Sequence, residues 1–147
     1  MNTPRPAQPA GARPPRWYWA VSALAFLWNL LGVVAFAGQL TMDPDTLPAA
    51  QRAFHESTPS WATAGFAAAV SGGALGSAAL LLRKSWAAPL LVVSLLGITV
   101  QSAHSVVVSN GIEVFGPAGL VLPIATFGIA AALIWFARLS ANRGWIA

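Results

Sequence analysis

The sequence predicts an all-α protein, a four-helix transmembrane up-down bundle, and three observations carry that prediction. Of the 147 residues, 56% are hydrophobic and 8% charged, against about a quarter charged in ordinary soluble domains. Four stretches free of charged residues, 17–42, 57–82, 85–112 and 114–137, each exceed the roughly 20 residues that cross the hydrocarbon core of a bilayer. Seven of the eight Lys and Arg residues fall outside alternate ends of these stretches, as expected of a chain that crosses a membrane back and forth. Lipid offers the backbone no hydrogen-bond partner, so spanning segments are helices or closed barrels. Runs of Leu, Ala and Gly lack the alternation of a barrel strand.

The elements follow in chain order. Met1 to Pro15 hold five prolines and almost no large apolar side chain, so residues 1–16 are expected to form a flexible cytoplasmic tail ahead of a membrane domain over 17–147. The helices are expected at about 17–40, 61–82, 86–108 and 117–139. The first resembles a secretory signal in its preceding arginines and in Ala35-Phe36-Ala37, but its apolar run exceeds the roughly 7–15 residues of a signal core, so it is expected to be retained. After the turn at Asp43-Pro44-Asp45, Leu47, Ala50 and Phe54 recur at helical spacing while Gln51, Arg52, His55 and Glu56 face away. That pattern predicts a short interfacial helix, either a connector resting on lipid or a lid over the bundle mouth. Thr58 is expected to cap the second span with Pro59 as its first residue, and Gly116-Pro117 repeats that logic at the fourth. Asn110-Gly111 marks the exit of the third span. The short connections Arg83-Lys84-Ser85 and Ser109 to Gly116 make spans two, three and four antiparallel neighbours. In the fourth, Gly119, Pro123, Thr126 and Ala130 share a face, and the missing donor of Pro123 predicts a kink.

Arg5, Arg13, Arg16, Arg83, Lys84, Arg138 and Arg143 lie on one side and Arg52 on the other, with Asp43, Asp45, Glu56 and Glu113. The basic side is predicted to be cytoplasmic, which gives a multi-pass protein of a bacterial-type inner membrane with both termini inside. Trp17, Trp19, Trp86 and Trp135 fall at that boundary and Trp61 at the other, where indole prefers the headgroup level; only Trp28 lies deep. The net charge of +4 comes without a basic run or interleaved aromatic stripe, so no nucleic acid is expected as a partner. The chain has no cysteine, and two distant histidines lack metal-ligand spacing. No acid/base pair, activated nucleophile or phosphate loop is legible, so neither catalysis nor a cofactor is expected.

The candidate functional residues are polar positions within the spans. Ser22, Ala25, Asn29, Gly32, Phe36 and Gln39 form one stripe at spacings of three and four, and Ser94, Gly97, Gln101 and His104 form another with Ser105 beside it. Asn29 falls near the bilayer midplane, where an unpaired amide is costly. Ser71, Ser94, Gln101 and Thr126 lie within similar depth, and His104 lies toward the outer end. Two readings stay open: interhelical bonds alone, at roughly 0.6–2 kcal/mol each, or the lining of a midplane site for a neutral polar solute such as a sugar or polyol. No ionisable side chain lies within a span, which disfavours ion-coupled pumping. Gly65, Gly72, Gly73 and Gly76, with Ala68 and Ala69, form two small-residue ridges suited to close helix packing. Asn29-Leu30-Leu31-Gly32 is echoed by Ser94-Leu95-Leu96-Gly97, and Ala64-Gly65 by Ala118-Gly119, a pattern consistent with two repeated hairpins.

Leu27-Trp28-Asn29-Leu30-Leu31-Gly32, Thr58-Pro59-Ser60-Trp61-Ala62, Leu81 to Ala87, Gln101, Val114-Phe115-Gly116-Pro117 and Gly144-Trp145 resemble a family of small bacterial four-span proteins often labelled "sugar transporter". The resemblance runs from Trp17 to the last residue and implies the membrane architecture and a solute-handling role. Two function classes follow. In one, Asn29, Ser94, Gln101 and Thr126 build a polar cavity, completed by a homo-oligomer, in which a neutral solute binds or passes. In the other, the chain is a non-transporting subunit or assembly factor whose small-residue ridges receive the helix of a membrane-protein partner.

Overall fold

The computed structural model describes residues 12–108 and 111–147. Most of the expected tail, and Asn110 of the expected exit turn, lie outside the described residues. Among the described residues four helices are long and apolar enough to cross a membrane, at Arg16–Thr41, Ser60–Leu81, Ala87–Val107 and Pro117–Asn142, each bound within three residues of its expected position. In chain order the elements are α1 (Arg16–Thr41), a 3-10 turn (Pro44–Thr46), α2 (Ala49–Glu56), α3 (Ser60–Leu81), α4 (Ala87–Ala103), a π-helical turn (His104–Val108), α5 (Gly111–Phe115), a second 3-10 turn (Pro117–Leu120) and α6 (Val121–Asn142). The described residues contain no strand.

The bundle is assembled in the order α1, α3, α4, α6, each packed on the next. Glycine dictates the tightest of these seams. A Cβ on Gly72 would lie 2.7 Å from the Leu90 carbonyl oxygen, and one on Gly97 would lie 2.5 Å from both Ala69 N and Gly65 O. Backbone touches backbone there, so α3 and α4 approach only because no side chain intervenes. Gly65 and Gly76 complete the α3 side, against Val100 and Leu91. No comparable backbone approach joins α6 to α1. Those two helices meet through rings at one end, where Trp17 and Tyr18 stack on Phe136 and Trp145 at centroid distances of 5.4–5.9 Å.

That end carries the basic residues and is closed. α3 terminates in a Schellman motif: Arg83 adopts φ 57°, with Lys84 N bonded to Ala79 O at 2.8 Å and Arg83 N to Leu80 O at 3.0 Å. α6 ends the same way around Gly144, φ 67°, through Trp145 N to Ser140 O at 2.9 Å and Gly144 N to Ala141 O at 3.0 Å. These bonds satisfy carbonyls that every helix end otherwise leaves bare. The last residues then lie across the α3–α4 turn, with Ala147 N donating to Arg83 O and Ser85 N to Ala147 O, both at 2.9 Å. Arg83 clamps the assembly, its Nε on Trp145 O at 2.6 Å and its Nη2 on Ala12 O at 3.0 Å. Beneath it Tyr18 is fully buried and donates its hydroxyl to Leu80 O at 2.5 Å.

Two local expectations are corrected. Thr58 does not cap α3; its Oγ1 donates backward to Phe54 O at 2.9 Å, serving the exposed carbonyl end of α2, while Pro59 takes the N-cap position. Pro123 falls in the first turn of α6, where a missing donor interrupts no intrahelical bond. A 3-10 turn, Pro117–Leu120, runs directly into α6.

Candidate functional site

Where α1 and α6 fail to close, a cavity of about 420 Å³ opens between them. α1 contributes Trp28, Asn29, Leu31, Gly32 and Ala35, and α6 contributes Leu122, Pro123 and Thr126. The floor is α3, through Phe66, Ala69 and Val70, and α4, through Ser94, Ile98, Gln101 and Ser102, with Ser105 from the π-helical turn. The cause of the opening is the contrast between seams. Glycines let α3 and α4 touch along their length, whereas α1 and α6 meet through the ring cluster at the basic end, and beyond it Trp28, Leu31, Leu122 and Thr126 line the gap.

Asn29 stands at the middle of α1. Its Nδ2 donates to Ala25 O at 2.8 Å, one turn back, which fixes the amide and turns Oδ1 toward α3. Gly73 is what makes room: a Cβ there would overlap Asn29 Oδ1 and sit 3.1 Å from Ser94 Oγ. Asn29, Gly73 and Ser94 therefore meet at one level from three helices. Ser94 is buried and donates to Ala69 O at 2.7 Å across the α3–α4 seam. Thr126 donates to Leu122 O at 2.8 Å within α6. With their protons committed to backbone carbonyls, both hydroxyls keep only acceptor capacity, as the amide oxygen of Asn29 does. Gln101, half-buried, brings an amide that both donates and accepts. Among the described residues no charged side chain lines the cavity, and most of its wall is apolar.

Of the six polar positions singled out, Asn29, Ser94, Gln101 and Thr126 line this cavity. His104 is buried and lines a neighbouring cavity of about 50 Å³, edge-on to Trp61 at 5.3 Å. Ser71 is not brought to either; it is exposed on the outer face of α3. Depth placed it with the others, but two residues along a helix is a rotation of about 200°, so Ser71 faces away from the side on which Gly73 meets Asn29. Phe66 and Ser102, which line one or both cavities, were not singled out, and Phe54 was read only as an apolar position of the short helix between the first two spans. Ser102 adjoins Gln101 on the polar stripe and was legible to a wider reading of it; the phenylalanines carry no polar signal.

No family model matches this chain, and no curated protein and no solved structure matches it.

Proposed function

We propose that this membrane protein binds a small uncharged solute in the cleft between α1 and α6, as a step in moving that solute across the bilayer. The cavity carries the reading. Its volume of about 420 Å³ falls within the roughly 300–1,000 Å³ of small-molecule sites, and its apolar wall with a few convergent polar groups is the usual composition of one. A charged solute is disfavoured because nothing in the wall neutralises it and an unpaired ion is very costly at this depth. The apolar share narrows the neutral polar solute expected from the sequence. Each hydroxyl buried without a partner costs roughly 1–3 kcal/mol, so a solute with an apolar body and two or three hydroxyls fits better than a fully hydroxylated hexose. Deoxy sugars, short polyols and alkyl glycosides are such solutes, and the resemblance to proteins labelled "sugar transporter" supports the sugar end of that range. The reading is one of binding and passage without catalysis. In it the basic end faces the cytoplasm of a bacterial inner membrane and must open to release the solute.

Trp28 lines the cleft and supplies the test. In lipid nanodiscs, tryptophan emission is titrated with a panel of monosaccharides, deoxy sugars, polyols and alkyl glycosides. A saturable change is expected for at least one solute, lost in Trp28→Phe because the reporter is gone and weakened in Asn29→Leu because the amide is gone. A panel in which nothing saturates, or an affinity indifferent to Asn29→Leu, overturns the reading. The alternative, a subunit whose glycine ridges receive a partner's helix, has less to draw on, since Gly65, Gly72, Gly73 and Gly76 are buried against α4 and α1 of the same chain.

A further inference from the structure

We propose that α2 is a lid over a vestibule that leads to the cleft, with Phe54 as its plug, so that solute enters from the α2 end of the bundle; this rests on the reading of the cleft as the binding site. The cavity of about 50 Å³ is bounded by Phe54 of α2, by Thr58 just beyond that helix, and by Gln39, Ala62 and His104. Phe66, Gln101 and Ser105 line this cavity and the larger cleft alike. The two spaces therefore adjoin, and one of the side chains they share, Gln101, is an unbranched amide with three rotatable bonds. The opposite end offers no such route, since Tyr18, Trp145 and Ile146 are buried there under Arg83.

The attachment of α2 is that of a part able to lift. None of its eight residues is buried, which puts it among the elements of low local stability. Arg52 donates from Nε to Pro44 O at 2.9 Å and pairs with Asp45 at 3.0 Å, so its bonds go to the 3-10 turn of its own loop and not to the bundle. Loop and helix are thereby joined into one body. Phe54 reaches from that body to the bundle, edge-on to Phe115 at 5.2 Å and tilted on His104 at 6.3 Å. Behind it the helix of Ser105 widens into a π turn from His104 to Val108, a distortion that recurs at functional sites.

The absence of cysteine makes the route measurable, because one introduced thiol is then the sole target. A methanethiosulfonate carrying a trimethylammonium group reacts with thiolate, hence with a cysteine that water reaches. In nanodiscs, Ser105→Cys is expected to label slowly while Phe54 is in place. Phe54→Ala raises the rate about tenfold, in proportion to the fraction of open molecules, and Phe54→Trp lowers it. Ser77→Cys, fully buried in α3, stays unreactive in all three backgrounds. Equal rates at Ser105→Cys whatever stands at position 54 overturn the proposal. So does acceleration at Ser77→Cys together with Ser105→Cys, which reports loosening of the whole bundle. Labelling needs no solute, so the two readings fail separately: gated labelling with no bound solute refutes the binding site, and solute binding with ungated labelling refutes the lid.

Discussion

Ser22 is fully buried, and among the described residues its Oγ is the buried side-chain oxygen without a hydrogen-bond partner. An orphaned hydroxyl costs its desolvation, so Ser22→Ala is expected to leave thermal stability in detergent unchanged or slightly raised. Ser94→Ala removes the donor to Ala69 O and is expected to cost about 1 kcal/mol; a larger loss at Ser22 than at Ser94 contradicts this account. The glycines form a second graded series. Gly97→Ala drives a methyl into backbone atoms of α3 that cannot rotate aside, at a cost toward or above the upper end of the roughly 1–3 kcal/mol typical of overpacking. Gly73→Ala meets the tip of Asn29, which moves only by giving up its bond to Ala25, so an intermediate loss is expected. Gly128→Ala meets nothing within 4 Å and is expected to be neutral. Denaturation midpoints out of that order count against the packing described. At this scale the sequence spoke clearly where a polar group interrupts an apolar run, as at Asn29. It was mute about facing, which is why Ser71 was grouped with residues on another side of the bundle.

Among the elements, the helix ends at the basic face show what local chemistry specifies. Gly144 follows the last turn of α6 in the left-handed conformation that glycine adopts without strain, and Trp145 then folds back until it is 7% exposed. A β-carbon at position 144 costs about 1–2 kcal/mol in that conformation. Gly144→Ala is therefore expected to lower the unfolding midpoint and to red-shift tryptophan emission as Trp145 gains exposure; unchanged emission with a lowered midpoint separates the cap from the clamp. Glycine after an apolar helix is a legible stop signal. Arg83 in the same role is not, because only the bonds of its guanidinium to Trp145 and Ala12 explain a side chain in that conformation. The π turn was equally hidden: the run around His104 reads as ordinary helix, and the extra residue per turn is fixed by tertiary surroundings. Phe54 was read on the inward side of its short helix from spacing alone, and its ring meets Phe115 and His104.

For the whole molecule, span positions were readable to within a few residues because bilayer thickness sets helix length and charge marks the ends. The short connections likewise made the second, third and fourth spans neighbours, as α3, α4 and α6 are; the seat of α1 was not readable, since a helix bathed in lipid is apolar over most of its surface. The nearest signal was the echo of Asn29 to Gly32 in Ser94 to Gly97. In the fold both segments lie against α3, Asn29 and Ser94 beside Gly73, Gly32 near Val70 and Gly97 against Ala69. Two parallel helices thus flank α3 with one spacing, but the fourth seam stays open, which no repeat in the sequence announces. Orientation is the remaining property of this scale. The described basic residues Arg13, Arg16, Arg83, Lys84, Arg138 and Arg143 all flank the closed end, and Arg52 alone belongs to the end that carries α2. Lys and Arg near short connections resist translocation, so the closed end is expected to stay inside. A membrane-impermeant maleimide added to intact cells should label Thr46→Cys, in the loop before α2, and should reach Ser85→Cys only after permeabilisation. The reverse pattern would place the lid in the cytoplasm and make the cleft a site loaded from within; labelling of both in intact cells would mean that the chain inserts in two orientations, as a net bias of a few charges permits only when the connections fail to discriminate.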